Sequence, residues 1–237
     1  MQSSSTQRSP ALTIASTPVY FEEDWAAGIG GGLWSTGLAI GLYLSQFPDH
    51  AKRFMERKSR VSFLELGSGN GFLSVCFLAL AKELDCSLVI TDTKEHLPLI
   101  NLTLEGNDHI IKPRDSQKNN PSVKVLEHQW GTFPPSDDQE NPLNQSFDLI
   151  FGSDLAYRDE LHDPLISSLR HFSDAQTVII LGITMLDTKP IFFSKLREAG
   201  FAYERLADHL MDPKFRGTTF GIFVIQKTAS IPCSTES

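Results

Sequence analysis

The 237-residue sequence predicts an α/β fold, a doubly wound sheet of mostly parallel strands, and three observations carry that reading. An apolar run at 61–66 contains the carboxylate Glu65 and opens into a loop with glycines at 67, 69 and 71. Such a stretch reads as strand, tight turn and helix start, with backbone N–H groups free to meet a ligand at the helix N-terminus. Strand-like and helix-like segments then alternate as far as residue 199. Last come two strand-like segments, 201–206 and 219–226, with no helix between them, so an antiparallel hairpin closes the sheet. The sum is a Rossmann-like sheet of seven strands.

Composition narrows the class. At 41% hydrophobic, the chain fits one large domain over 21–228, with a disordered lead-in at 1–20 and a flexible tail at 229–237. A net charge of -8 argues against broad adhesion to nucleic acid or anionic membrane. The cysteines Cys76, Cys86 and Cys233 are odd in number and form no C-x-x-C pair, so neither a disulfide framework nor a zinc site is expected, and the compartment is a reducing one. No apolar run approaches the roughly 20 residues that span a bilayer, and the N-terminus lacks a secretory pattern. The expected setting is the cytoplasm, with the nucleus second.

Taken in order, 33–44 reads as a helix with Trp34, Leu38 and Leu42 on one face. Gly37 and Gly41 inside it each cost about 1 kcal/mol relative to alanine, which suggests a backbone or ligand close by. Trp34 at its head is either a core anchor or a ligand contact. The charged 49–60 segment is a surface helix end and loop, and 72–84 is a buried helix with Cys76 an inert core residue. Strand 87–91 leads directly to Asp92, about 20 residues beyond the glycine loop, where an acid can accept hydrogen bonds from ribose hydroxyls. The rival role for Asp92 is capping a helix at 95–107. After a polar loop at 111–122, strand 123–128 ends near Trp130, which either flanks an adenine face or packs in the core. A loop at 132–146 precedes the fourth strand, with Ser153, Asp154 and Tyr157 at or just past its end. Helix 164–172, strand 177–184 and helix 191–199, stopped by Gly200, complete the alternation before the terminal hairpin and its 207–218 loop. The seven histidines show no metal-ligand spacing.

The loop is G-x-G-x-G, not the G-x-G-x-x-G of dinucleotide sites, which disfavours a nicotinamide oxidoreductase, and a carboxylate beside it suits a cationic ligand better than a pyrophosphate. In order and spacing, Gly32-Leu33-Trp34, the Glu65 to Gly71 loop, Thr91-Asp92, Trp130-Gly131, Ser153-Asp154-Leu155-Ala156-Tyr157 and Asp212-Pro213-Lys214-Phe215-Arg216 resemble the family-16 protein-lysine methyltransferases of the methyltransferase-like 21 type. The resemblance implies a class I methyltransferase with S-adenosylmethionine as cofactor. It places Trp34, Gly67, Ser68, Gly69, Asp92, Trp130 and Ser153 around the cofactor, Glu65 near the methionine amino group, and Asp154 and Tyr157 as the catalytic pair at the substrate end. It further implies action on a lysine of a protein substrate, with a chaperone, an elongation factor or an AAA-type ATPase as candidates; a monomer is expected, and charge, hydropathy and histidine spacing point to no nucleic acid, membrane or metal partner. Asn70, the Gly30 to Gly32 run and Gly217 depart from the family pattern and leave the substrate branch open. The alternatives are arginine, histidine or small-molecule methylation on the same fold, or a non-catalytic cofactor-binding module.

Overall fold

The structure, a computed structural model, describes residues 9–55, 59–112 and 121–228. Cys233, the 229–237 tail, the first eight residues and most of the 111–122 loop lie outside the described residues.

The chain opens on a small antiparallel hairpin, β1 (Leu12–Ile14) and β2 (Thr17–Val19), turning through Ala15 and Ser16, both left-handed at φ 46° and 66°. Two successive left-handed residues make the turn type whose twist matches a right-handed strand pair. Its packing is tertiary: Ile14 and Val19 are fully buried in the cluster that holds Phe72 and Ile40. The lead-in expected to lack structure through residue 20 is therefore folded from residue 12. Three-residue strands are too short to show a period, and burial against neighbours holds them.

Helices α1 (Ser35–Gln46) and α2 (Pro48–Lys52) follow, then β3 (Arg60–Glu65), α3 (Phe72–Leu80), β4 (Asp85–Asp92), α4 (Leu97–Glu105), α5 (Asp108–Ile111) and β5 (Ser122–Glu127). The second half comprises β6 (Leu149–Ser153), α6 (Asp159–Phe172), β7 (Val178–Thr184), α7 (Pro190–Glu198), β8 (Phe201–Arg205) and β9 (Phe220–Lys227). Seven strands form one sheet in the order β5-β4-β3-β6-β7-β9-β8, parallel from β5 to β7 and antiparallel at β7–β9 and β8–β9. The fold class and the terminal hairpin are those expected.

Period-two alternation sorts the inner strands between two cores. Val61 and Phe63 of β3, Leu149 and Phe151 of β6 and Val178 and Ile180 of β7 join the cluster with α1 and α3. Leu64, Ile150, Ile179 and Leu181 join the cluster with α6 and α7 on the other face. This is why the strands read as continuous apolar runs: both faces are covered. All nine residues of α3 are buried, Cys76 included.

Several expectations change in detail. What stands close to Gly41 is not a ligand: a Cβ there would lie 2.8 Å from Leu12 Cδ1 and from the Phe72 ring, so the glycine lets the N-terminal hairpin and α3 approach α1. At Gly37 the near neighbour is the Ser153 hydroxyl, 3.1 Å from the same built position. Helix α6 begins five residues before Pro164, with Asp159 and Glu160 in its first turn, where acids suit the helix dipole. Helix α4 ends at Glu105, and Asn107 instead clamps the N-terminal segment, accepting from Tyr20 N–H at 3.0 Å and donating to Tyr20 O at 2.8 Å.

Candidate functional site

Strand order reverses between β3 and β6, and the crevice outside the carboxyl ends of the strands at such a switch point is where open α/β sheets bind ligands. Glu65 ends β3, Asp92 ends β4 and Ser153 ends β6, so three of the expected site residues reach one edge through sheet topology alone.

Glu65 is 1% exposed and accepts hydrogen bonds from Ser68 Oγ at 2.7 Å and from Ser74 Oγ. Burial pushes its carboxyl up to about 8, the two serine hydrogen bonds pull the other way, and the charge of Asp92 adds to the rise. A buried acid of this kind is matched by a cation, not by an anion.

The loop after Glu65 takes left-handed φ at Gly67, Gly69 and Gly71. At Gly69 the requirement is also one of space, because a Cβ would stand 2.6 Å from Gly30 O. Gly67 faces the Trp130 ring and Leu155, each 2.8 Å from the built Cβ. Trp130 is half-buried against the α6–α7 core, so packing and ligand contact are not exclusive there.

Asp92 does not cap α4, whose N-cap is His96 with no side-chain cap bond. Its carboxylate instead accepts Gly69 N–H at 2.6 Å, Thr93 N–H at 2.7 Å and His96 Nδ1 at 2.8 Å, tying the end of β4 to the glycine loop. Trp34 is 42% exposed, donates its indole N–H to Ile29 O at 2.7 Å and meets the exposed Trp25 edge-to-face. A core anchor would be buried, so that reading of Trp34 falls.

Asp154 sits just past β6 with φ 53°, a left-handed backbone that aspartate tolerates better than most residues. Thr36 donates to Oδ2 through Oγ1 at 2.7 Å and through its N–H at 3.3 Å, and Thr184 Oγ1 donates to Oδ1 at 2.7 Å. Two carboxylate oxygens offer about four lone-pair sites, so three donors fix the group and leave capacity for one more. Tyr157, half-buried three residues on, carries the Arg158 guanidinium 5.3 Å from its ring centre. Among the described residues neither Trp34 nor Tyr157 hydrogen-bonds the glycine loop; the Thr36–Asp154 contact joins the head of α1 to the end of β6.

Thr36, Thr184, Ser74 and His96 were missed in the sequence. Ser74 and Thr184 sit inside elements that read as plain apolar runs, and only His96, four residues after Asp92, carries a signal that spacing could have raised.

Residues 14–199 match the model of the family described as lysine methyltransferase. The chain belongs to that family. Its methyl donor is S-adenosylmethionine, its acceptor is lysine, and the donor set fits that cofactor: a buried acid without a cation, a loop whose approach only glycine permits, and an acid one strand away. Among curated proteins it is 27% identical to the protein N-lysine methyltransferase METTL21A of Danio rerio over 81% of this chain and 78% of that one. It is 26% identical to the protein N-terminal and lysine N-methyltransferase EFM7 of Cryptococcus neoformans over 81% of this chain and 70% of that one. Among solved structures, the CurJ carbon methyltransferase matches with TM-score 0.52 at 15% identity, covering 74% of this chain and 51% of that one. A SAM-dependent methyltransferase from Aquifex aeolicus matches with TM-score 0.50 at 15% identity, over 76% and 89%. These two likenesses are of fold.

Proposed function

We propose that this methyltransferase binds its cofactor between Trp34, Glu65, Gly67, Ser68, Gly69, Asp92, Trp130 and Ser153 and presents a substrate lysine to it at Asp154 and Tyr157. The observation that carries the proposal is the Asp154 carboxylate, fixed by Thr36 and Thr184 at the edge of the crevice with one acceptor site to spare.

When bound, the cofactor supplies a methyl group on a cationic sulfonium. Glu65 receives the amino group of its methionine end, and Asp92, whose Oδ1 is filled by Thr93 and His96 and whose Oδ2 already takes Gly69 N–H, receives one ribose hydroxyl on Oδ2. A lysine of pKa about 10.4 costs roughly 4 to 5 kcal/mol to present as the free amine at pH 7. A carboxylate favours the ammonium, so Asp154 does not meet that cost; it captures and orients the incoming ammonium, whose proton passes to water. Tyr157 walls the channel and accepts a hydrogen bond from the amine. Desolvation in that channel is what brings the lysine toward its free form.

The substrate is a protein whose class the sequence resemblance narrows to a chaperone, an elongation factor or an AAA-type ATPase. The Cryptococcus relative, an N-terminal and lysine N-methyltransferase, has an N-terminal amine as a second acceptor. We place the protein in the cytoplasm, with the nucleus second, as a monomer without nucleic-acid or membrane partners. Cys76 and Cys86 are free and buried, which suits a reducing compartment. Among the described residues no helix is long and apolar enough to cross a membrane. Imaging of a tagged chain and light scattering test these two points.

The test uses methyl-labelled S-adenosylmethionine and an extract lacking this protein, followed by mass spectrometry. The expected result is one labelled lysine, reduced at least about 100-fold with Asp154→Asn while calorimetric cofactor affinity stays within about threefold. Asparagine is the better substitution because it keeps the left-handed backbone. Full turnover in Asp154→Asn overturns the assignment.

A further inference from the structure

His96 stands at the head of α4 with its ring turned back to the end of β4. Its Nδ1 lies 2.8 Å from Asp92 Oδ1, and facing a carboxylate this nitrogen carries the proton. On the other side of the same carboxylate, Oδ2 takes Gly69 N–H at 2.6 Å. Asp92 is thus stretched between the glycine loop and the head of α4. The other donors to Oδ1 come from Thr93 alone, an exposed residue adjacent in sequence that moves with Asp92 and cannot aim it.

The far side of the ring is equally constrained. Nε2 is buried and reaches no partner at full hydrogen-bond geometry among the described residues, with the Ala27 backbone near enough to favour the protonated ring. Above it runs the 28–32 segment: a Cβ at Gly30 would lie 2.8 Å from both Cε1 and Nε2 and 3.1 Å from Gly69 Cα. Within the glycine run that departs from the family pattern, Gly30 is the residue that lets this segment approach His96 and the loop together, while Gly31 and Gly32 make room for Asp24 and Trp25. The Asp92 hydrogen bond is the largest cause that raises the imidazole pKa, which agrees with a ring that donates from Nδ1.

We propose that His96 is a positioning residue of the cofactor site, its Nδ1–H aiming the remaining acceptor site of the Asp92 carboxylate at a ribose hydroxyl while its ring seats Gly30 against the glycine loop. The inference rests on the proposed role of Asp92, and the test separates the two. Titration calorimetry with S-adenosylhomocysteine is run on the full chain, with thermal unfolding of each ligand-free variant as the control for folding.

His96→Ala is expected to weaken binding about tenfold, the worth of one charge-assisted hydrogen bond. His96→Asn, whose amide N–H reaches the place of Nδ1–H, is expected to stay within about threefold. His96→Leu fills the space without the donor and is expected to lose as much as alanine; if the alanine variant does not fold, the leucine and asparagine variants carry the comparison. Gly30→Ala should weaken binding in the wild-type background and cost less beyond His96→Ala, because the ring it would strike is gone and only the 3.1 Å approach to Gly69 Cα remains. Wild-type affinity in the His96 variants, or an asparagine variant as weak as leucine, overturns the positioning role while a large loss in Asp92→Ala leaves the ribose reading standing. No loss in Asp92→Ala removes both.

Discussion

Glu65 carries a carboxyl into a place closed to water, and the two serine hydrogen bonds only partly offset that burial. Its folded pKa of about 8 lies above the ordinary 4.5, so the folded ligand-free protein holds a proton that the unfolded chain releases. Stability from this source is complete below about 4.5 and is lost as pH rises through about 8. Thermal unfolding of the ligand-free protein should therefore show a melting temperature falling across that window, and Glu65→Gln should flatten the fall. A ligand's cationic amino group against Glu65 reverses the preference: binding of S-adenosylhomocysteine should tighten from pH 6 to pH 8, by at most about tenfold per unit, and Glu65→Gln should abolish that trend. An unchanged slope in the variant would place the titrating group elsewhere. Thr36 and Thr184 belong to the same scale. Thr36→Val and Thr184→Val each remove a 2.7 Å donor to Asp154, and steady-state kinetics should show a kcat loss on the order of tenfold with little change in cofactor affinity.

At the level of elements, the N-terminal hairpin is the part whose worth is hardest to see from the chain alone. Ile14 is fully buried between α1 and α3, and Ile14→Ala should cost about 2 to 4 kcal/mol in urea unfolding. A cost below roughly 0.5 kcal/mol would show the hairpin to be dispensable. The hairpin also bears on the site: Leu12 rests on Gly41 of α1, and the N-terminal turn of α1 supplies Thr36 to Asp154. Helix α3 was readable because an all-apolar run after a glycine loop has one place to go, between the sheet and the other helices. The extra turn of α6 before Pro164 was not readable, because a proline signals a helix start in sequence. Here it packs against the 131 turn, a built Cβ on Gly131 lying 3.3 Å from Pro164 Cα.

For the whole molecule, the expected consequence is a division of labour along one edge of the sheet. The proposed cofactor acids Glu65 and Asp92 lie at the ends of β3 and β4, and the proposed substrate acid Asp154 lies past β6. Saturation with S-adenosylhomocysteine at 100 times Kd should stabilise the fold by about 2.7 kcal/mol. That gain should vanish with Asp92→Ala and persist with Asp154→Asn. Equal loss of the gain in both variants would mean that the two halves are not separable.

The sequence by itself determined the fold class, the seven strands and the positions of Glu65, Asp92 and Asp154. Those follow from local properties: apolar runs, the left-handed φ that glycine permits, and an acid that a strand end must project outward. The tertiary structure alone decided which donors hold those acids. Thr36 reaches Asp154 across 118 positions of chain, Gly69 reaches Asp92 across 23, and Gly30 meets the His96 ring from more than sixty residues earlier. Such pairings depend on strand order and on how closely two backbones approach, and neither leaves a periodic trace in the residues that make them.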